Sequence, residues 1–273
     1  MPELPEVETT LRGISSHILH QKIKQVTVRH HGLRWPIPHN VANILKNKII
    51  QQTKRRAKYL LLETAQGTLI LHLGMSGSLR ILSRSTVPAG KHDHFDIEFA
   101  NQKILRFTDP RRFGAILWTE EDPFLHPLLK TLGPEPLDRA FSGYYLWQRA
   151  QGKKTPIKSF LMNNKIVVGV GNIYAAESLF AAGIHPEALA EKVSLARYEK
   201  LATAVKKILR KAIKHGGTTL KDFVDSDGKP GYFRLQLQVY GRDQLPCFHC
   251  NTMLKAICLA QRTTVFCEKC QTK

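Results

Sequence analysis

Cysteine is absent from the first 246 positions of this 273-residue chain, and all five cysteines lie at positions 247–270. A disulfide framework spread along the chain is therefore excluded. Long apolar runs are also missing, since the longest, Ile166 to Ile184, is interrupted by Asn172 and Glu177 and cannot cross a bilayer. The first ten residues contain no Lys or Arg and no apolar segment, unlike a signal peptide. We therefore expect a cytoplasmic protein.

Acidic residues are scarce relative to basic ones. Asp and Glu number 22 against 41 Lys and Arg, which gives a formal net charge of +19. Hydrophobic residues still make up 42% of the chain, so this charge does not indicate disorder. Such an excess favours a polyanionic partner, and nucleic acid is the first candidate. We expect a monomer with no membrane partner.

Short β segments separated by turn residues fill the region between residues 22 and 121. Because no long helical crossover joins them, they favour an antiparallel sandwich or barrel. A helix precedes them, since Val7, Leu11 and Ile14 recur at helical spacing after Pro5. The predicted segments are residues 23–30, 57–63, 68–74, 78–82, 95–100, 104–108 and 114–119.

Helical patterns replace the β pattern after residue 133. Thr155 and Pro156 are typical of an N-cap and a first helical position, and Asn172 is the expected N-cap of a helix that ends at Gly183. Ser194 precedes a third helix with one apolar and one basic face. The basic face is typical of a solvated helix surface, although it could also face phosphates.

Four of the five cysteines share a regular spacing. Cys247, Cys250, Cys267 and Cys270 form two Cys-x2-Cys pairs separated by sixteen residues, which is typical of a four-thiolate zinc site. Two disulfides could share this spacing, but thiols stay reduced in the cytoplasm and so short a module lacks a sufficient core. We therefore expect one structural Zn²⁺. Cys258 lies between apolar residues and is expected to be a small buried side chain.

Pro2 follows the initiator methionine, and removal of Met1 would leave a secondary amine at the chain terminus. The reference pKa of such an amine is about 8, so roughly a tenth is neutral at pH 7. Attack on a sugar C1′ would form an iminium ion, which acidifies the C2′ protons and permits elimination of a 3′ phosphate. Glu3 and Glu6 could move protons beside it. Taken alone, the same residues are also typical of a plain helix start.

Ten ordered blocks of sequence resemble the formamidopyrimidine-DNA glycosylase family, and they span the whole chain. They include MPELPEVET at the start, HLGMSGSLR at 72–80, TDPRRFG at 108–114 and VGVGNIYAAESLFAAGIHP at 168–186. The resemblance implies a bacterial base-excision-repair enzyme that flips out and removes 8-oxoguanine and formamidopyrimidines. It also implies that the substrate is double-stranded DNA and that the enzyme then cleaves the damaged strand by β,δ-elimination, an AP lyase activity.

The resemblance implies an α+β fold of two domains, with an N-terminal helix and an antiparallel β-sandwich followed by a helical domain. Residues 1–132 would form the catalytic sandwich domain and residues 133–236 the helix-two-turns-helix DNA-binding domain. Residues 237–273 would form a four-cysteine zinc-finger β-hairpin. The stretch from Thr218 to Tyr232 corresponds to the family's lesion-capping loop.

The resemblance also implies catalytic roles for five residues. Pro2 would form the Schiff base, Glu3 would donate a proton at the deoxyribose, and Glu6 would assist. Lys58 would be the proton donor in β-elimination. Arg262 would grip phosphates from the hairpin tip and serve δ-elimination. On residue type alone, Lys58 would be read as part of a solvated basic edge.

Six further positions match residues of the family that contact DNA. Met75, Arg111 and Phe113 match the trio that fills the space left by a flipped base. Without the resemblance, Met75 and Phe113 would be expected in the core. The turn before Asn172 matches a phosphate-binding helix start. The six residues are Met75, His92, Arg111, Phe113, Lys153 and Asn172.

Two alternative functions are considered. An endonuclease VIII-type glycosylase shares the terminal proline and the zinc hairpin but prefers oxidised pyrimidines. Three features favour the purine enzyme: Leu4, the long loop at 216–232, and the set of Met75, Arg111 and Phe113. A non-catalytic zinc-ribbon protein would account for the charge and the cysteines. It would not explain the proline-containing start of the chain.

Overall fold

The computed structural model describes residues 2–83, 88–218 and 233–273. The chain divides into two compact units, which are described separately below. None of the helices in these described ranges has the length and apolarity that a bilayer crossing requires. The first unit comprises Met1–Lys130 and His215–Tyr232, and the second comprises Thr131–Lys214 and Phe233–Lys273.

In chain order, an N-terminal helix is followed by a strand-rich segment, a helical segment and a two-stranded hairpin, as expected. The helices are α1 (Leu4–Ile18), α2 (Val41–Leu45), α3 (Gly143–Ala150), α4 (Ile157–Leu161), α5 (Asn172–Ala181) and α6 (Leu195–Lys214). The strands are β1 (Ile23–Val28), β2 (Gln52–Arg56), β3 (Tyr59–Thr64), β4 (Gly67–His72), β5 (Ser78–Ser83), β6 (Asp93–Phe99), β7 (Lys103–Thr108), β8 (Ala115–Thr119), β9 (Lys255–Leu259) and β10 (Arg262–Phe266). Short 3-10 helices cover Pro123–Leu125, Ala190–Lys192 and Phe233–Gln236.

Two four-stranded antiparallel sheets form the first unit, with strand orders β1-β6-β7-β5 and β2-β3-β4-β8. Apolar residues alternate along the strands and meet in one core, because successive side chains of a strand point to opposite faces. Leu60 pairs with Leu71 and Leu62 with Leu69 across β3 and β4, and all four join Phe95 of the other sheet in that core. The predicted antiparallel sandwich is confirmed.

Helix α1 closes this core with the face that its sequence predicts. Its start is held by a capping bond in which the Glu6 carboxylate accepts the backbone N–H of Glu3 at 2.8 Å. Full burial of each large aliphatic side chain contributes about 1.5–3 kcal/mol relative to exposure. The buried apolar residues of this face are Leu4, Val7, Leu11, Ile14 and Ile18.

Strand β2 is not predicted from the sequence. Its five residues, Gln-Thr-Lys-Arg-Arg, do not alternate between apolar and polar side chains. It lies at the edge of its sheet, where charged side chains are favoured because they discourage pairing with another chain. Lys54 donates to Glu63 at 3.0 Å, and Arg55 donates to Glu8 of α1 at 2.8 Å. Ion pairs therefore replace the apolar contacts that a central strand would make.

Two of the predicted helix caps in the second unit are wrong by one residue. Helix α5 begins at Asn172 itself, and Gly171 is its N-cap. The Asn172 side chain is unavailable for capping because its Oδ1 accepts a hydrogen bond from Lys158. Helix α4 begins at Ile157 rather than Pro156, whose backbone is extended. Helix α6 begins directly after Ser194, as predicted.

His72, the last residue of β4, is a buried imidazole surrounded by positive charge. Burial, followed by the charges of Lys58 and Arg34, lowers the pKa of His72 from 6.5 to about 4. Its Nδ1 lies 3.0 Å from the backbone nitrogen of Gly74 and accepts that N–H. The imidazole is therefore neutral in the folded protein at pH 7.

We expect His72 to contribute stability above its unfolded pKa that is lost as the pH falls from about 6.5 to about 4, because the unfolded chain binds the proton first. With about 1.4 kcal/mol per pKa unit, the loss is up to about 3 kcal/mol. His72→Asn keeps an acceptor for Gly74 but cannot titrate. Urea unfolding at pH 7 and pH 4 should show a smaller loss of unfolding free energy in the variant, and equal losses would contradict this prediction.

Candidate active site and nucleic-acid interface

The start of the chain is buried in the first unit. Pro2 and Glu3 are buried, and Glu6 is completely inaccessible. The two carboxylate oxygens of Glu6 are both engaged: one accepts the N–H of Glu3 and the other accepts the N–H of Thr218 at 2.8 Å. Glu6 therefore joins the beginning of α1 to Thr218, the first residue of the predicted lesion-capping stretch.

Lys58 lies in the tight turn between β2 and β3 and is 9% exposed. Ala57, at φ 55°, allows this two-residue turn. Arg55 ties the turn to α1, because it donates both to the Ala57 carbonyl and to Glu8. Burial alone would raise the pKa of Glu8, but Arg55 and a second arginine, Arg12, hold that pKa below its ordinary value. The first unit thus holds Pro2, Glu3, Glu6 and Lys58 on connected elements.

Met75 and Phe113 are exposed, with 37% and 45% of their surfaces accessible. Residue type alone predicts such side chains in the core, but the structure exposes both of them on loops of the sandwich. The Arg111 guanidinium lies 5.3 Å from the centre of the Phe113 ring, at cation–π distance. His92 is exposed on a third loop of the same unit.

In the second unit, Asn172 and Arg262 line one cavity of about 380 Å³ together with Thr263 and Gly241. Arg262 is exposed at the tip of the β9–β10 hairpin, directly after a turn in which two residues have positive φ. Such turns match the twist of a two-residue hairpin. Lys153 is exposed beyond the end of α3.

Lys158 is a buried lysine that sequence reasoning did not single out. Only 1% of its surface is exposed, and its Nζ donates to Asn172 Oδ1 and to Thr264 Oγ1, both at 2.6 Å. Asn172 in turn donates to the Thr263 carbonyl at 3.2 Å. These bonds tie the start of α5 to β10, the strand that begins at Arg262.

Glu177 of α5 is a second buried group that the sequence did not reveal. Its carboxylate accepts three backbone N–H groups, from Gln238, Val239 and Tyr240, at 2.8–2.9 Å. Burial raises the pKa of Glu177 more than these bonds lower it. Glu177 therefore anchors the segment that leads into the cysteine-rich module.

The four spaced cysteines meet at one point. Their sulfur atoms all lie within 4.8 Å of one another, with 3.9 Å between Cys247 and Cys270 and 3.4 Å between Cys250 and Cys267. Four thiolates at about 2.3 Å from a tetrahedral zinc would be about 3.8 Å apart. Burial, and then the neighbouring thiols, raise the pKa of Cys270, an effect that a bound cation would offset. The cluster is positioned to hold a metal ion.

Comparisons with known proteins agree with this architecture. Residues 1–116 match the N-terminal domain of formamidopyrimidine-DNA glycosylase, and residues 132–224 match the H2TH domain of the same family. The chain belongs to the formamidopyrimidine-DNA glycosylase family. The resemblance that the sequence motifs indicate is thereby confirmed.

Relatives in this family are similar over their full lengths. The formamidopyrimidine-DNA glycosylase of Stenotrophomonas maltophilia is 56% identical, covering 99% of this chain and 100% of the relative. That of Shewanella amazonensis is 57% identical, with both chains covered completely. A crystal structure of the Thermus thermophilus family member has a TM-score of 0.88 at 33% identity, covering 99% of this chain and 98% of that one.

A solved structure of a Lactococcus lactis family member is also similar. A variant of that protein bound to Fapy-dG-containing DNA has a TM-score of 0.92 at 34% identity, with both chains fully covered.

One expectation about the cysteines is wrong. Cys258 is exposed on β9, because successive side chains of a strand point to opposite faces and its two apolar neighbours take the inner one. It does not belong to the four-thiol cluster, so its exclusion as a ligand is consistent with the structure. Met1 and most of the predicted lesion-capping stretch, residues 219–232, lie outside the described residues.

We expect Cys247→Ser to lose bound metal, because three thiolates hold a zinc ion less tightly than four and serine is a poor replacement. Metal analysis of the purified protein should fall from about one ion per chain to well below half. Cys258→Ser is the matched control and should keep its metal, since its sulfur is outside the cluster. Full metal content in Cys247→Ser would contradict the proposed ligand set.

Proposed function

We propose that this protein excises oxidised purines, 8-oxoguanine and formamidopyrimidines, from double-stranded DNA and then cleaves the strand. The observation that carries the proposal is the full-length likeness to the Lactococcus lactis family member, whose solved structures contain Fapy-dG or abasic-site DNA. The formal charge of +19 fits a polyanionic substrate. We propose that it acts on chromosomal DNA in the bacterial cytoplasm.

Chemistry begins at Pro2, the proposed nucleophile. After removal of Met1, its ring nitrogen attacks C1′ of the damaged nucleotide, and the bond to the base breaks as the base leaves with the proton that the amine loses. The C1′–O4′ bond then breaks as O4′ takes up a proton, which opens the sugar and leaves an iminium ion at C1′. Glu3, which is 3% exposed, is the proposed proton donor at the deoxyribose. Glu6 assists by holding the first residues of α1 through its bond to the Glu3 N–H.

Strand cleavage follows from the same iminium ion, which acidifies the C2′ protons. Loss of a C2′ proton expels the 3′ phosphate, and Lys58 is the proposed proton donor in this β-elimination. Arg262, exposed at the hairpin tip of the second unit, is proposed to bind the phosphates and to serve the δ-elimination that expels the 5′ phosphate.

Extrusion of the damaged base costs a few kcal/mol of unstacking, so a replacement must enter the duplex. The exposed apolar side chains of Met75 and Phe113 are the proposed wedges, and Arg111 the proposed partner of the orphaned cytosine. His92, Lys153 and Asn172 are proposed to contact the backbone phosphates. The exposure of His92 and Lys153, and the place of the half-buried Asn172 at the start of α5, support the assignment.

The metal in this proposal is a structural zinc ion. Cys247, Cys250, Cys267 and Cys270 would fill all four tetrahedral positions, so no position remains for a reacting water. When bound, the ion supplies a fixed cross-link and performs no step of the reaction. It would hold the hairpin that carries Arg262.

We expect Pro2→Gly to bind lesion-containing duplex normally but to cleave it about 100-fold more slowly, because a flexible primary amine replaces a ring-fixed nucleophile. Single-turnover cleavage of an end-labelled duplex with 8-oxoguanine opposite cytosine measures the rate, and a gel-shift assay measures affinity. Pro5→Gly, the same change inside α1, should keep the cleavage rate. Unchanged cleavage by Pro2→Gly would rule out the terminal proline as nucleophile.

A further inference from the structure

We propose that Asp109 is a positioning residue that holds the three loops carrying Met75, His92 and the Arg111–Phe113 pair in one fixed arrangement. This inference rests on the proposed function, because it assigns to Asp109 the alignment of the groups that replace a flipped base. Asp109 itself follows β7 and is completely inaccessible. It therefore acts through its neighbours and does not touch DNA.

The carboxylate of Asp109 links two of these loops. Its Oδ1 accepts the hydroxyl of Ser76, the residue after Met75, at 2.8 Å. The same oxygen accepts the backbone N–H of Arg111 at 3.3 Å, and Oδ2 accepts the N–H of Gly114 at 2.8 Å. One side chain thus bonds the first residue of the Arg111–Phe113 segment, the residue directly after that segment, and the residue directly after Met75.

The backbone of Asp109 bonds the third loop, which carries His92. Its N–H donates to the His92 carbonyl at 2.9 Å, and its carbonyl accepts from His94 Nε2 at 2.8 Å. Because a carbonyl can only accept, His94 carries its proton on Nε2. His92 is therefore held at a fixed distance from the residue that aligns the two apolar wedges.

The loop that carries Met75 and the Arg111–Phe113 segment are also closely packed against each other at Gly74. A Cβ atom added to Gly74, which has φ +62°, would lie 2.4–2.6 Å from the backbone of Phe113 and Gly114. Between Arg111 and Phe113, Arg112 occupies the left-handed region at φ 58°, a conformation that non-glycine residues adopt rarely. The Asp109 bonds to either side of it hold that conformation.

A carboxylate is needed at this position because every partner of its side chain is a donor. Asparagine has the same shape but replaces one acceptor oxygen by an NH₂ group, which would face either Ser76 and Arg111 or the Gly114 N–H. Hydrogen bonds to charged groups are worth more than neutral ones, and a buried donor without a partner is costly. The substitution should therefore loosen the loops while keeping the core volume.

The test compares two reactions of Asp109→Asn. Single-turnover excision of 8-oxoguanine opposite cytosine should fall about 10- to 100-fold, because misplaced wedges extrude the base poorly. Borohydride trapping at Pro2 on a duplex with a preformed abasic site should stay within about threefold of wild type, since no base must be extruded. A 2-aminopurine beside the lesion should lose most of its fluorescence rise on binding.

Asp96→Asn is the matched control. Asp96 is a buried carboxylate of β6, the strand that pairs with β7, but it bonds Arg29 and Arg106 rather than the three loops. This variant should lose thermal stability and keep the wild-type ratio of excision to trapping. An equal fall of both reactions in Asp109→Asn, or an unchanged excision rate, would overturn the proposal.

If Asp109→Asn does not fold, Ser76→Ala provides the second variant. It removes only the bond between the Met75 loop and Asp109, and excision should fall about threefold to tenfold with trapping retained. Unchanged excision would again overturn the positioning role. Failure of the proposed function is recognised separately, because wild-type protein would then excise no 8-oxoguanine in the same assay.

Discussion

Three buried carboxylates hold the functional segments of this protein by accepting backbone N–H groups. Glu6 binds the start of α1 and Thr218, Asp109 binds the loops of the two apolar wedges, and Glu177 binds the segment before the cysteine module. Because a carboxyl group offers two acceptor oxygens, one such side chain can satisfy two or three buried N–H groups at once. A chain with an excess of positive charge thus uses several of its few acids internally, which leaves the surface basic for a polyanion.

The sequence predicts most of the fold, because its strands and α1 bury one face and therefore show a clear period. It does not predict β2, which is held by ion pairs to Glu8 and Glu63 rather than by apolar contacts. It also misplaces the start of α5, because a neighbouring lysine, Lys158, uses the side chain that would otherwise cap the helix. Both failures arise where tertiary contacts replace the local preference.

The candidate site is also only partly predictable from the sequence. The motifs point to the terminal proline and the four-thiol cluster, because these groups have a spacing or a position that few other structures require. Single buried charges such as Asp109 and Lys158 have no such signal, since the same residue types are exposed in most sequences. The prediction for Cys258 is wrong because apolar neighbours in a strand indicate that the residue between them points to the opposite face.

The most direct test of the proposed chemistry is borohydride trapping on a duplex with 8-oxoguanine opposite cytosine, beside a duplex with dihydrothymine, followed by peptide mapping of the adduct. We predict preferential trapping on the purine duplex with the DNA attached to Pro2, because the terminal amine forms the iminium ion that borohydride reduces. Trapping only on the pyrimidine duplex would contradict the assigned substrate class. An adduct at a lysine, or no adduct on either duplex, would contradict the assigned nucleophile.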